Sequence, residues 1–198
     1  MAELPKILAR RSLDYGGRFK VEQVDLRFSN GVERTYERMP TRGHGAVVVA
    51  AMKDAHTLLL IREYACGLHR YELGLVKGRI DRGETPEQAA VRELKEEAGF
   101  GARSITVLRA MTVAPTYMEH QAWLVLAEDL YPARLPGDEP EELEVLPWRL
   151  DELDQLILRD DCSEGRSVAT MFIVREFLAL RAAGRLPPDA PRAQGVVE

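Results

Sequence analysis

Glu93, Glu96 and Glu97 stand at i, i+3 and i+4 within the segment GRIDRGETPEQAAVRELKEEAGF, residues 78–100. On a helix advancing about 100° per residue, Glu96 falls about 60° to one side of Glu93 and Glu97 about 40° to the other. Three carboxylates therefore share one face. Like charges at these spacings repel and weaken an isolated helix. A hard divalent cation offsets such repulsion, and Mg²⁺ held by a few carboxylates commonly serves a phosphate-bearing substrate. The plainer reading is a solvated acidic face. Arg92 lies one turn before Glu96 and within reach of Glu84, which suits it to orienting the acids. Ala89 and Ala90 fall on the acidic face one turn earlier, small enough to admit a ligand. Val91, Leu94 and Ala98 form an apolar stripe directed elsewhere, into a core.

A helix that presents such a face needs firm ends. Thr85 suits the N-cap, with Pro86 at N1 and Gln88 at N3 completing a capping box. Gly99 is suited to the C′ position, so the spacing predicts a helix ending near Ala98. Around it, the runs Ala46–Ala51, Thr57–Ile61, Tyr71–Val76, Ile105–Leu108 and Ala122–Ala127 read as strands. Leu150–Leu156 and Val168–Leu180 read as helices, the second with Met171, Val174, Phe177 and Leu178 inward. Val24, Leu26 and Phe28 alternate with polar neighbours, Asn30-Gly31 follows, and a second β-rich run covers residues 32–39. That pattern predicts an antiparallel hairpin. Pro40, Gly43 and Gly45 mark a joint. The predicted organisation is an appendage over 1–43, a main domain over 44–183 and a Pro- and Gly-rich disordered tail over 184–198. Strands mixed with few helices, without regular βα alternation, point to α+β or a mixed-sheet α/β sandwich.

Composition narrows the class. In 198 residues, 45% are hydrophobic and 30% charged, which fits a folded domain and excludes collagen, coiled coil and low-complexity disorder. No run approaches the roughly 20 apolar residues that cross a bilayer. Residues 1–11 lack the apolar core of a secretory signal, so a cytoplasmic location is expected. A net charge of −5 argues against holding extended nucleic acid by an overall basic field. Cys66 and Cys162 have no C-x-x-C spacing and are expected to be reduced. Metal chemistry would then rest on oxygen ligands.

The pattern G-x5-E-x7-R-E-U-x-E-E-x-G-U, with U aliphatic or aromatic, runs from Gly78 through Glu84, Arg92, Glu93, Glu96, Glu97 and Gly99 to Phe100. It resembles the signature of the Nudix hydrolases at every fixed position. The resemblance implies an α/β/α sandwich with a mixed sheet and a loop–helix–loop that binds a divalent metal. Mg²⁺ is the implied cofactor, with Mn²⁺ a substitute. The implied reaction is hydrolysis of nucleoside diphosphates linked to another moiety. The segments VDLRFSNGVERTYERM, LLIREYACG, YELGLVKGRID and LYPARLPGDEPE further resemble the ADP compounds hydrolase (NudE-type) and ADP-ribose pyrophosphatase branch. That likeness implies cleavage of ADP-ribose, NADH and short diadenosine polyphosphates to release AMP.

Carried onto this chain, the resemblance makes Glu93, Glu96 and Glu97 the metal ligands, together with the backbone carbonyl of Lys77. It leaves the general base open between a box glutamate and an acid of the loop Asp138–Glu142, namely Glu139 or Glu141; the plainer reading of that loop is a solvated turn. Pro115 and Tyr117, 15 and 17 residues beyond Phe100, sit where relatives acting on ADP-ribose and on diadenosine compounds carry their markers. Arg62 ends an apolar strand, where it is either a phosphate clamp or a surface ion pair. Tyr36 and Tyr117 either stack on adenine or simply pack. His44, His56, His69 and His120 show no triad spacing. The family likeness also implies a homodimer in which N-terminal strands reach the partner. Two rivals remain, a non-catalytic module sensing ADP-ribose or NAD and an enzyme removing NAD caps from RNA. The box lacks none of its acids, which favours catalysis.

Overall fold

A computed structural model describes residues 4–13, 20–41 and 43–195. The chain forms two compact units, one from residues 1–43 and 112–121, the other from 44–111 and 122–198. In the first unit, β1 (Lys6–Leu13), β2 (Val21–Arg27) and β3 (Glu33–Arg38) form an antiparallel sheet in the order β1-β2-β3. The expected hairpin is thus two strands of three. Its turn closes through Phe28 N–H to Val32 O at 2.9 Å, with Gly31 at φ 82°, a left-handed conformation natural to glycine. The third strand was not foreseen. KILARRSL has no clean alternation, and its side chains are mostly exposed, so no two-residue period marks it. Residues 112–121 join the same unit through bonds between Met39 and residues 117 and 119, a long-range pairing that chain order does not reveal.

The second unit is built on β4 (Ala46–Met52), every residue of which is buried. A strand covered on both faces reads as a continuous apolar run, as AVVVAAM does. Beside it lie β5 (Thr57–Ala65), β6 (Arg70–Gly74), β7 (Val76–Arg79), then α1 (Pro86–Glu93), β8 (Phe100–Thr112), β9 (Gln121–Pro132), β10 (Glu144–Arg149), α2 (Leu153–Leu156), α3 (Gly165–Ala182) and β11 (Gln194–Gly195). The sheet runs β10-β5-β4-β9-β8-β11, with β6 paired to β5 and β7 to β4. β4 and β9 are parallel while β4 and β5 are antiparallel, so the sheet is mixed.

The pleat of β4 divides the core. Val47, Val49 and Ala51 face one layer with Ala89, Ala90, Val91 and Leu94. Val48, Ala50 and Met52 face the other, with Leu153, Leu156, Met171 and Val174. The result is the expected α/β/α sandwich. Ala89 and Ala90 correct the sequence reading, since both are fully buried in the core and face no ligand. They are small because the helix packs closely on the sheet. The stretch after α3 keeps some local pairing. A turn closes at Ala190 N–H to Pro187 O, and residues 194–195 pair with Ile105 and Ser104 of β8. Its Pro-rich sequence hid this because two residues added to an existing strand need no pattern of their own.

Candidate functional site

Helix α1 starts as its sequence dictates. Gln88 N–H donates to Thr85 Oγ1 at 3.3 Å, and Thr85 N–H donates to Gln88 Oε1 at 2.9 Å. The regular helix stops at Glu93, and Leu94–Ala98 form one π-helical turn, closed by the Gly99 N–H on Leu94 O. Gly99 takes φ 75°, the left-handed end expected of that position. A π turn inside an α-helix often accompanies a functional site. Here the wider turn carries Glu96 and Glu97.

Glu93 and Glu97 are each only 8% exposed, which is unusual for carboxylates. Burial first, then the neighbouring Glu93 and Glu63 charges, pushes the Glu97 carboxyl up to about 8, against the pull of Lys77. Burial likewise raises Glu93, with Glu96 and Asp138 adding repulsion and Arg92 opposing it. Glu97 Oε2 accepts a 3.2 Å bond from the Lys77 N–H, a long contact for so deeply placed a charge. Glu93 lies flat on Gly78, where an added Cβ would come within 1.8 Å of the carboxylate. That close approach is the physical reason for a glycine there.

Arg92 is the organising cation. Its guanidinium donates to both Glu84 oxygens at 2.8 and 3.0 Å, to Glu93 Oε1 at 2.7 Å, to Glu96 Oε2 at 3.0 Å and to Arg79 O at 2.8 Å. Hydrogen bonding to Glu84 raises it above its ordinary value despite burial, and it holds Glu84 below the usual carboxylate range. Glu84 in turn accepts the Asp81 N–H at 2.9 Å, tying the loop ahead of the helix.

The other wall comes from residues 134–143, between β9 and β10. Together with Glu93, Glu96 and Glu97 they line a cleft of about 400 Å³. The helix end anchors this loop, because Ala133 N–H donates to Gly99 O and Leu135 N–H to Lys95 O, satisfying carbonyls that a helix terminus leaves open. Glu139 lies in the cleft, and burial with the Glu63 and Asp138 charges raises its carboxyl. Glu141 also lines it, where Oε1 accepts the Tyr71 hydroxyl at 2.5 Å. Lys77 donates from Nζ to Glu63 Oε2 at 3.0 Å and to Leu75 O at 2.9 Å.

The donor chemistry suits a hard divalent cation. The available donor atoms are oxygens, and the buried Glu97 carboxyl, close to Glu93, has only a long main-chain hydrogen bond and the Lys77 charge to offset its desolvation. Glu93, Glu96 and Glu97, with the Lys77 carbonyl, are the groups that would hold it. Among the described residues no three such side chains already stand as a ready shell; Arg92 draws Glu93 and Glu96 toward itself.

Other sequence candidates lie elsewhere. Arg62 donates from Nε to Glu144 at 2.9 Å and from Nη1 to Asp161 at 2.9 Å, a double ion pair on the β5–β10 side of the sheet and outside the cleft lining. In the first unit, Pro115 and Tyr117 line a separate cleft of about 250 Å³ with Arg38 and Glu119. Tyr36 is 45% exposed and lies 6.5 Å from the Phe28 ring. Glu63 and Tyr71 were missed. Each is an ordinary polar residue in a strand or loop, and only the meeting of β5, β6 and the 134–143 loop with the helix end makes it part of the site.

Comparison with known proteins follows this geometry. The model described as "NUDIX domain" matches residues 41–170, and "NudE-type Nudix hydrolase N-terminal domain" matches residues 5–38. The chain is 48% identical over 174 residues to ADP compounds hydrolase NudE of Escherichia coli (strain K12), covering 88% of this chain and 93% of that protein. It is 27% identical to ADP-ribose pyrophosphatase of Bacillus subtilis (strain 168), over 77% and 82% of the two chains. A crystal structure of an ADP compounds hydrolase superposes with a TM-score of 0.85 at 46% identity, covering 94% of this chain and 99% of the other.

Proposed function

The chain belongs to the Nudix hydrolases, with a NudE-type N-terminal domain, and from that premise we propose that it hydrolyses the pyrophosphate bond of ADP-linked compounds, releasing AMP. ADP-ribose, NADH and short diadenosine polyphosphates are the substrates in view. The observation that carries the reading is the gathering of Glu93, Glu96 and Glu97 along one cleft by a capped helix and its π turn. Similarity to an ADP compounds hydrolase and to an ADP-ribose pyrophosphatase supports the reading.

Mg²⁺ is the proposed cofactor, Mn²⁺ a substitute; when bound it polarises the pyrophosphate, neutralises developing negative charge and makes water a stronger nucleophile. The protein's own residues prepare that chemistry. Glu93, Glu96 and Glu97 supply the oxygen donors. Arg92 fixes two of them and closes the loop through Glu84. Glu139 is our choice of general base, because it lines the cleft beside the carboxylates, where partial desolvation and the Glu63 and Asp138 charges raise its carboxyl above the ordinary value. Glu141 is already engaged by Tyr71. Arg62 is better read as part of its ion-pair network than as a phosphate clamp, since its Nε and Nη1 already pair with Glu144 and Asp161 outside the cleft. Pro115 and Tyr117, with Tyr36, remain the proposed nucleobase contacts.

A cytoplasmic homodimer is part of the same proposal. Both cysteines are free thiols, and no helix among the described residues is long and apolar enough to cross a membrane. Incubating the protein with Mg²⁺ and a panel of ADP-linked compounds, then separating the products by chromatography, tests the reading. ADP-ribose should give AMP and ribose 5-phosphate, and NADH should give AMP and reduced nicotinamide mononucleotide. Free nicotinamide, or inorganic phosphate alone, would mean that another bond is attacked.

A further inference from the structure

The hairpin formed by β5 and β6 reaches the acidic loop through one phenol. Tyr71 Oη donates to Glu141 Oε1 at 2.5 Å. Tyr64, its partner across the two strands, meets the Tyr71 ring edge-on at 5.8 Å. The Tyr64 hydroxyl in turn lies 2.6 Å from His69 Nδ1, with those rings also edge-on. His69 holds φ 53°, which a non-glycine residue seldom adopts. The bonds Leu68 N–H to Ala65 O and His69 N–H to Cys66 O fix it there. Three rings in edge-on contact beside a tight turn thus aim one hydroxyl at residue 141.

The loop has need of such a hold. Main-chain bonds at Ala133 and Leu135 anchor its start, and Leu143 is buried at its end. Between them, Pro136 and Pro140 remove two backbone donors. Arg134 and Glu142, both exposed, pair at 3.3 Å, a weak tie in water. Glu139 lies in this stretch.

We propose that Tyr71 is a positioning residue for the hydrolytic reaction: its bond to Glu141 holds residues 136–142 against the carboxylate cleft and so sets where Glu139 stands. The proposal rests on the catalytic reading of that cleft. The same bond raises the phenol above its ordinary value, so Tyr71 remains a protonated donor at neutral pH.

Tyr71→Phe removes the hydroxyl and keeps the ring. Backbone hydrogen exchange should rise within residues 136–142 while α1 and β4 stay protected. With ADP-ribose and Mg²⁺, kcat should fall about tenfold, the scale on which supporting residues act, with KM changed less than about twofold. Tyr71→Phe/Glu141→Ala should be no slower than Glu141→Ala, since two members of one bond do not add. Unchanged exchange, unchanged kcat, a rise in KM alone, or additive losses would each overturn the proposal. A wild-type protein inert toward every ADP-linked compound would instead overturn the catalytic reading, and the exchange measurement would still decide whether the loop is held.

Discussion

Glu97 is a carboxylate kept where a charge is costly, and in its proposed role as metal ligand a cation would relieve that cost. Replacing it by Gln keeps the shape and removes the charge. Turnover should then fall by about 100-fold or more, since the metal loses a principal donor. The fold should survive, and in the absence of metal it should be no less stable than wild type, because the buried carboxyl must either carry a desolvated charge or take up a proton, and the amide needs neither. Thermal melts with and without Mg²⁺ check both halves: the variant should lose the Mg²⁺-dependent rise. Near wild-type rates would refute the ligand assignment. Gly78→Ala tests the same site from below. The new methyl would collide with the Glu93 carboxylate, the movable end of a side chain, so it should displace the ligand rather than unfold the protein. Activity should drop with little change in melting temperature, whereas comparable losses in both would mean that the backbone itself had shifted.

At the scale of elements, helix ends matter more than helix interiors. Thr85→Ala removes one half of the box that starts α1 and should cost about 1 kcal/mol, read from denaturant unfolding. Helix α3 starts on a charge. Glu164 accepts the Arg166 and Ser167 N–H groups at 3.0 and 2.9 Å and the Ser167 hydroxyl at 2.9 Å. Burial pushes its carboxyl up, but the Arg166 bond and charge with the two N–H groups outweigh that and leave it lowered. A carboxyl lowered by folding contributes stability above its unfolded value of 4.5, and that contribution is lost as pH falls through the lower folded value. Glu164→Gln should therefore destabilise by about 1 kcal/mol near neutrality, with the difference from wild type shrinking below about pH 4.5. A difference independent of pH would show that geometry rather than charge sets this cap.

At the scale of the molecule, the N-terminal sheet poses the open question. Leu4, Ile7, Leu8, Val32 and Tyr36 are all exposed apolar or aromatic side chains of that unit, surface on which the proposed dimer would draw. A two-fold dimer is the commonest oligomer, and the proposed dimer should scatter light as twice the mass of one chain at micromolar concentration. Removing residues 1–40 should yield monomers or aggregates and weaken substrate binding. A monomeric mass for the intact protein would exclude the dimer and leave the sheet as a flap of its own chain.

Much of this protein is written in local sequence. Thr85, Pro86 and Gln88 dictate a helix start, Gly99 its end, AVVVAAM a doubly covered strand and Asn30-Gly31 a turn, because each rests on neighbours a few residues away. The spacing of Glu93, Glu96 and Glu97 puts three carboxylates on one face for the same reason, and the full Nudix pattern around them carries the proposed metal chemistry. Tertiary structure decided what depends on distant partners. It turned the last helical turn into a π turn, buried Ala89 and Ala90, added β1 to the hairpin and drew residues 112–121 into the N-terminal unit. It also brought Glu139 and Glu141 into the cleft with the carboxylates and set Tyr71 against Glu141. Burial, and with it the raised Glu97 carboxyl, arises only when chain segments some 40 residues apart close over one another, and no local pattern encodes that closure.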